Sequence, residues 1–408
     1  MNVRRSAAAA AATAVLLTAA VPAAHAADAA DSPSPSAPAK PSGLYGAKDP
    51  KFDGVFRQSY ALLAQDTVGV KPARKAVDWL TGQQCDSGGF AAFRADPSEA
   101  CDAKTPVDSN STAAAVQALS ALGGQGATVK KAVDWLKSVQ NQDGGWGYNP
   151  GLPSDANSTG IVVGALAAAG EKPGEVKSQK GKSAYDALPK LALPCGKGED
   201  GAFGLADMKT GKLAANADAT AAGVLGSLGK GLVVAPAEKS GAPAKCATAD
   251  DVQQAAKNGA AYLADATADS GHLTSAMPGA EEQPDYGNTA DAAVALAAAG
   301  LGDQAKKSVG WLQKDSAKWA KDNGPAAYAQ LIFAAHATGV DPKEFGGTDL
   351  VRGLNATGPA PQADSDAAEE KKDEDGSGMS PWLIVGVFFV ASIGFGFLLS
   401  GRNKKNQL

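Results

Sequence analysis

Aromatic residues are scarce in this chain, 6 % of 408, which is few for a cavity that must surround a carbocation with π faces. A surplus of positive charge is absent as well: 38 basic and 43 acidic residues leave a net charge of −5. That balance gives no electrostatic reason for nucleic acid as a partner. Histidine numbers only three and cysteine only four, so a metal site has little to draw on. What the chain does have is 48 glycines, 23 prolines and long alanine runs, unevenly spread. The Ala/Gly-rich usage points to a GC-rich, actinobacterial genome.

The ends carry addressing signals. Arg4 and Arg5, the apolar run from Ala7 to about Ala20, and the small-x-small site Ala24-His25-Ala26 read as a secretory signal peptide over 1–26. Residues 381–400, uncharged and apolar from Trp382 to Ser400, are long enough for a transmembrane helix. Arg402, Lys404 and Lys405 in the tail 401–408 then place the C-terminus in the cytoplasm and the rest outside a plasma membrane. Residues 27–44, with Pro33, Pro35, Pro38 and Pro41, read as an extended linker. Residues 358–380 include Glu369-Glu370-Lys371-Lys372-Asp373-Glu374-Asp375 and read as an acidic disordered stalk. Leu354-Asn355-Ala356-Thr357-Gly358 resembles a sortase signal, although more than twenty polar residues part it from the span. The folded domain is therefore expected over 45–357.

Within that domain the signal is repetition. Ala76-Val77-Asp78-Trp79-Leu80 returns as Ala132-Val133-Asp134-Trp135-Leu136, and in a third copy as Ser308-Val309-Gly310-Trp311-Leu312. A glycine turn follows, Gln84-Cys85-Asp86-Ser87-Gly88-Gly89-Phe90 and then Gln140-Asn141-Gln142-Asp143-Gly144-Gly145-Trp146. A second unit comes next: Asp108-Ser109-Asn110-Ser111-Thr112, then Asp155-Ala156-Asn157-Ser158-Thr159. Looser copies are Asn216-Ala217-Asp218-Ala219-Thr220 and Asp285-Tyr286-Gly287-Asn288-Thr289. Each opens an Ala/Leu/Val run that ends at Gly, and its Asp or Asn is of N-cap type. Such runs are apolar all round and so buried, whereas the Trp-Leu helices carry Lys and Arg on one face and so meet water. Six such pairs are counted, with inner helices near 56–65, 109–122, 156–169, 217–228, 287–299 and 325–338. An open solenoid is the alternative to a closed barrel.

The stretch from Ala132 to Trp146 resembles the QW motif of squalene and oxidosqualene cyclases, shared with protein prenyltransferase β-subunits. The resemblance implies an all-α fold, an (α/α)6 toroid of six inner and six outer helices. It does not bring the chemistry with it. Where hopene-forming cyclases have an acid in D-x-D-D-T, this chain has Asn110 and Asn157, and asparagine cannot protonate an alkene. Asp218 alone keeps an acid there, without its flanking acids. The Asp/Cys/His zinc site of prenyltransferases has no D-x-C pair to match, so no metal and no cofactor are expected. The four cysteines admit three pairings. Cys85–Cys101 is favoured because it closes one loop between neighbouring helices, which leaves Cys195–Cys246. Fold-level similarity extends to the cobalamin carriers, intrinsic factor and transcobalamin, which are secreted, disulfide-bonded and non-catalytic.

The expected function is therefore binding of a small, cobalamin-like or isoprenoid ligand, or of a membrane or secreted protein partner such as an uptake transporter. The expected mouth comprises Asp108, Asn110, Asp155, Asn157, Asp218, Tyr286, Asn288, Trp146 and Tyr148, with helix capping and QW stacking as their structural alternatives. If the chain is instead an enzyme acting on an isoprenoid, Asp218 or Asp291 is the acid, the latter through burial in the first turns of an inner helix. A structural or cell-wall role is the third reading. A deep apolar lumen with one buried acid favours the enzyme, a polar shallow mouth favours binding, and a plugged lumen favours the structural role.

Overall fold

The computed structural model describes residues 42–363, apart from 103, 197–199, 208–209, 238–239 and 276–280. The expected signal peptide, the apolar segment 381–400 and the charged part of the stalk lie outside the described residues. Among the described residues no helix is long and apolar enough to cross a membrane.

The repeat pairs fold as alternating buried and half-exposed helices. The first pair is α1 (Gly54–Thr67) and α2 (Arg74–Gly82), the second α3 (Ser109–Leu122) and α4 (Gly126–Ser138). The third begins with α5 (Ala156–Ala168) and continues in α6 (Ala184–Ala187). Then come α7 (Ala217–Ser227) with α8 (Val252–Ala266), and α9 (Tyr286–Ala298) with α10 (Gly302–Asp315). A short α11 (Ala317–Asn323) precedes α12 (Pro325–Thr338) and α13 (Leu350–Asn355). Four of the six inner helices, α3, α5, α7 and α9, fall where the alanine runs and their caps place them, while α1 and α12 start without a side-chain cap. Alanine loses little side-chain entropy in a helix, and the cap removes one orphan amide.

These inner helices pack in cyclic order. α1 meets α3, α3 meets α5, α5 meets α7, α7 meets α9, α9 meets α12, and α12 meets α1. α2, α4, α8, α10 and α13 lie against α1, α3, α7, α9 and α12 respectively. The expectation of six regular outer helices fails at the third pair. There a Ser183–Asp186 capping box starts α6, but it gives way within four residues to a 3-10 turn, Leu188–Leu191. Pro189 has no amide to continue an α-helix, which accounts for the break.

The chain is also not wholly helical. Three antiparallel hairpins link outer to inner helices: β1 (Phe90–Ala91) with β2 (Val107–Asp108), β3 (Gly204–Ala206) with β4 (Leu213–Ala215), and β5 (Leu273–Ser275) with β6 (Gln283–Asp285). Each hairpin ends at the residue that caps the next inner helix, or one residue before it, and so delivers that residue to its place.

A threonine then locks turn to helix. Thr159 Oγ1 accepts the amide of Trp146 at 3.0 Å, and Thr112, Thr220 and Thr289 accept those of Phe90, Phe203 and Leu273 at 2.9 to 3.0 Å. The glycine turn needs its glycines for a second reason. Gly88 and Gly144 have φ of 98° and 97°, and a Cβ on either would stand 2.2–2.3 Å from a backbone oxygen, of Lys131 or Ser183, in the following outer segment.

The two ends of the described chain clasp each other. Gly46 N–H donates to Thr357 O at 3.0 Å, and the Tyr45 hydroxyl reaches Gln65 Oε1 at 3.0 Å and Pro359 O at 3.2 Å. Gln65 Nε2 donates to Asn355 Oδ1 at 2.6 Å, and Gln362 is bonded to Lys71 and Pro72. Leu44 is buried, so residues 43–45 act as a glycine turn of their own where the sequence reads as the end of a linker. The segment Leu354–Gly358 is likewise packed into the fold, with Leu354 fully buried and Gly358 against the Tyr45 ring. Both expected disulfides form, Cys85–Cys101 and Cys195–Cys246.

Candidate functional site: the lumen between the inner helices

A cavity of about 380 Å³ lies between the inner helices, and all six contribute to its wall. Its lining follows the helical period. The second residues of α5, α7 and α9 are Asn157, Asp218 and Gly287. The sixth residues of α5, α7, α9 and α12 are Ile161, Ala222, Asp291 and Gln330. The ninth residues of α3, α7, α9 and α12 are Gln117, Leu225, Val294 and Phe333. Steps of four and three keep these side chains on one helix face, so each layer is one turn deeper than the last. α1 adds Phe56 and Tyr60.

The layers differ in character. The outermost is polar, with Asn157, Asp218, Asp285 and Asn288. Asn110 Nδ2 donates to Asn157 Oδ1 at 3.4 Å, and Asn157 Nδ2 donates to Asp218 Oδ2 at 2.6 Å. The middle layer sets Asp291, bonded by Gln330 Nε2 at 2.9 Å, among Ile161, Ala222 and Tyr60. The deepest is closed by the loop after α7. Leu232 N–H donates to Gln117 Oε1 at 2.9 Å, and Gln117 Nε2 donates to Ile161 O at 3.2 Å. A Cβ on Gly164 would stand 2.8 Å from Gly231 Cα, so the loop and α5 touch backbone to backbone.

Electrostatics mark the same layer. Burial first, and the Asp218 charge second, push the Asp291 carboxyl up to about 8, with the Gln330 bond acting against them. Asp218 is raised by burial and by Asp285 and Asp155, while its bond from Asn157 lowers it. Tyr60 is held well above the usual phenol value by burial, then by Asp291 and Asp218. Three acids, Asp218, Asp285 and Asp291, thus share the lumen, and Lys230 is the one basic residue on its wall. Among the described residues no three His, Cys, Asp or Glu groups could hold a metal ion.

Comparison with known proteins finds a likeness in one stretch of the repeat. Residues 107–169 match the family model of the squalene-hopene cyclase C-terminal domain. The likeness to that family is therefore shown for the stretch from β2 to the end of α5. The matched stretch holds the caps Asp108 and Asp155 and the whole Trp146–Thr159 lock, while Phe90, the partner of Thr112, lies before it. No curated protein matches the chain. Among solved structures, a protein from Actinoplanes is 17 % identical with a TM-score of 0.45, covering 73 % of this chain and 93 % of that one. The type II terpene cyclase MstE from Scytonema is 13 % identical with a TM-score of 0.43, covering 67 % and 73 %.

The residues expected at the mouth divide into four groups. Asn157, Asp218 and Asn288 line the lumen, as does Asp291. Asp108 and Asp155 turn their carboxylates to the amides of Ser111 and Ser158 at 2.6 and 2.7 Å and serve as N-caps. Asn110 stands beside Asn157, and its buried Oδ1 has no partner. The remaining three sit elsewhere. Trp146 is fully buried with its indole N–H on Leu136 O at 2.8 Å, and Tyr148 is 44 % exposed on the turn that follows. Tyr286 stacks between Trp311 and Trp319, with His272 on the far side of Trp311. His336, on α12, is not among the lining residues.

Sequence reasoning missed Phe56, Tyr60, Gln117, Gln330 and Phe333. α1 and α12 do not open with the Asp/Asn-Thr unit, so their depth could not be counted from it. The signal that could have found them is the spacing of four and three, applied inward from the start of each alanine run.

Proposed function

We infer that the protein is a closed (α/α)6 toroid that holds a small molecule in its lumen without transforming it. The reading includes display on the outer face of a plasma membrane, tethered by the C-terminal apolar segment. Two disulfides fit that compartment. The observation that carries the binding role is the lumen itself: a cavity open at one end, with a polar rim, apolar walls and a few convergent polar groups. A ligand held there would serve uptake if a transporter or other membrane partner receives it, and the tether would keep the two at high effective concentration.

Asp291 gives the enzyme reading its one specific support, since it is an enclosed acid facing aromatic rings. Burial, however, makes this carboxyl a weaker proton donor as it raises its affinity for the proton. Protonating an alkene needs the opposite. A neutral carboxyl beside Gln330 is suited to donating a hydrogen bond to a ligand.

The test is thermal shift of the full-length protein against cobalamins, isoprenoids and small amines, with Ala222→Phe as control. Ala222 lines the lumen, so the added ring occupies the ligand's space. A ligand that stabilises the wild type and leaves Ala222→Phe unchanged supports the reading. Silence throughout, or equal stabilisation of both, counts against it.

A further inference from the structure

We propose that the lumen's occupant is a compact organic cation, a quaternary or protonated amine, held between the carboxyl groups of Asp218 and Asp291 and the rings of Phe56, Tyr60 and Phe333. This rests on the reading of the lumen as a binding site and names the class of ligand.

The rings gather on one side. Phe56 and Tyr60, one turn apart on α1, have centroids 4.5 Å apart, and Tyr60 meets Phe333 of the neighbouring α12 edge-on at 5.7 Å. In the cyclic order of inner helices α7, which carries Asp218, stands three places from α1. A cation between them would meet the rings of α1 and α12 on one side and Asp218 on the other, with Asp291 on α9, next to α12, each attractive to positive charge.

The charges of the lumen call for such a partner. The charges acting on Asp218 and Asp291 are those of Asp155, Asp218 and Asp285, all of one sign. The polar neighbours that touch the two acids, Asn157 and Gln330, are neutral amides. Lys230 reaches the wall only at the deep end, from an exposed position on the closing loop. Partly buried carboxyls without a counter-charge beside them either hold protons or accept a cation.

Tyr60 points the same way independently. It is 6 % exposed, lines the cavity, and its hydroxyl has no hydrogen-bond partner among the described residues. The hydroxyl opens on the cavity, so a ligand bearing an acceptor beside its charged centre would take its hydrogen bond. The cavity volume of about 380 Å³ lies at the small end for ligand pockets and suits a compact molecule.

The test uses full-length protein and a matched pair of probes: choline, and its uncharged isostere 3,3-dimethylbutan-1-ol. In titration calorimetry choline is expected to bind roughly tenfold or more tightly than the alcohol, given carboxylate and π contacts. The Asp218→Asn/Asp291→Asn variant is expected to lose that preference. Equal affinity for the two probes overturns the cation proposal and leaves the lumen reading standing. Failure of both choline and tetramethylammonium to bind overturns it too. A neutral compound released from the purified protein would then show that the lumen reading survives, and an empty lumen would end both.

Discussion

Asn157 donates its side-chain amide to Asp218 at 2.6 Å, across the interface between the second residues of two adjacent inner helices. The position that would hold the acid in a cyclase motif is thereby an amide that steadies the acid of the next repeat. Removing it should be felt at Asp218, because this bond lowers an affinity for protons that burial and two neighbouring carboxylates raise. Asn157→Ala is expected to move the Asp218 titration upward, followed by carboxyl-carbon NMR. An unchanged or lower midpoint would show that the bond is absent in solution.

Asp291 should set the pH dependence of stability. Its pKa of about 8 in the fold, against 3.8 for the free side chain, means that the native state holds a proton that the unfolded chain releases across this window. Stability therefore falls as pH rises from about 4 to about 8. Asp108, raised to about 6 by burial, acts in the same direction over the lower half of that range. Asp291→Asn keeps the acceptor for Gln330 and removes the charge. In denaturant titrations it should match the wild type near pH 4 and exceed it at pH 8. Parallel curves for the two proteins would contradict the assignment.

If the occupant is a cation, its affinity should follow the same group in reverse. Asp218, Asp285, Asp155 and Tyr60 face the site together with Asp291, and Lys230 stands at its deep end. Deprotonating Asp291 adds negative charge, so choline should bind more tightly at pH 9 than at pH 6, with a proton released on binding. Calorimetry in buffers of different ionisation enthalpy reads that proton directly, and proton uptake would be the contrary result.

The threonine lock predicts a stability loss unrelated to the ligand. Thr159→Val keeps shape and removes the acceptor of the buried Trp146 amide, which should cost about 1–3 kcal/mol in urea unfolding. Thr220→Val should cost the same through Phe203. A loss confined to one of them would show that the repeats do not share the device.

The disulfides should contribute according to the loops they close. With sequence separations of 16 and 51, loss of Cys85–Cys101 is expected to cost about 3 kcal/mol and loss of Cys195–Cys246 about 4 kcal/mol, measured on the paired serine variants. Equal costs would point to strain or residual unfolded-state structure.

How far these features were legible depends on what local chemistry repeats. The inner helices could be read because Asp108, Asp155, Asn216 and Asp285 are cap residues set before runs with strong helix propensity. The hairpins could not. Gln283-Pro284-Asp285 and Gly204-Leu205-Ala206 show no alternation of apolar and polar residues, and their pairing follows from the helices they join. The closing loop, Lys230-Gly231-Leu232, carries no repeat signal, because its place is set by contacts with Gln117 and Gly164 far away in sequence. Trp146 and Tyr148 illustrate a further limit. Sequence placed both at the mouth, but a tryptophan in a glycine turn packs inward once Thr159 fixes its backbone. The clasp between Tyr45 and Pro359 was hidden for a similar reason, since a Pro-rich approach and a single Gly-Leu-Tyr do not announce a turn.

The central claim is that the lumen between the inner helices holds a small molecule. The most direct measurement is mass spectrometry of compounds released on denaturing full-length protein, folded under oxidising conditions, alongside Ala222→Phe prepared in parallel. The account predicts a discrete compound, carrying a positive charge, from the wild type and none from Ala222→Phe. The same compound from both proteins, or none from either, would contradict it and turn attention to the outer surface as a protein-interaction scaffold.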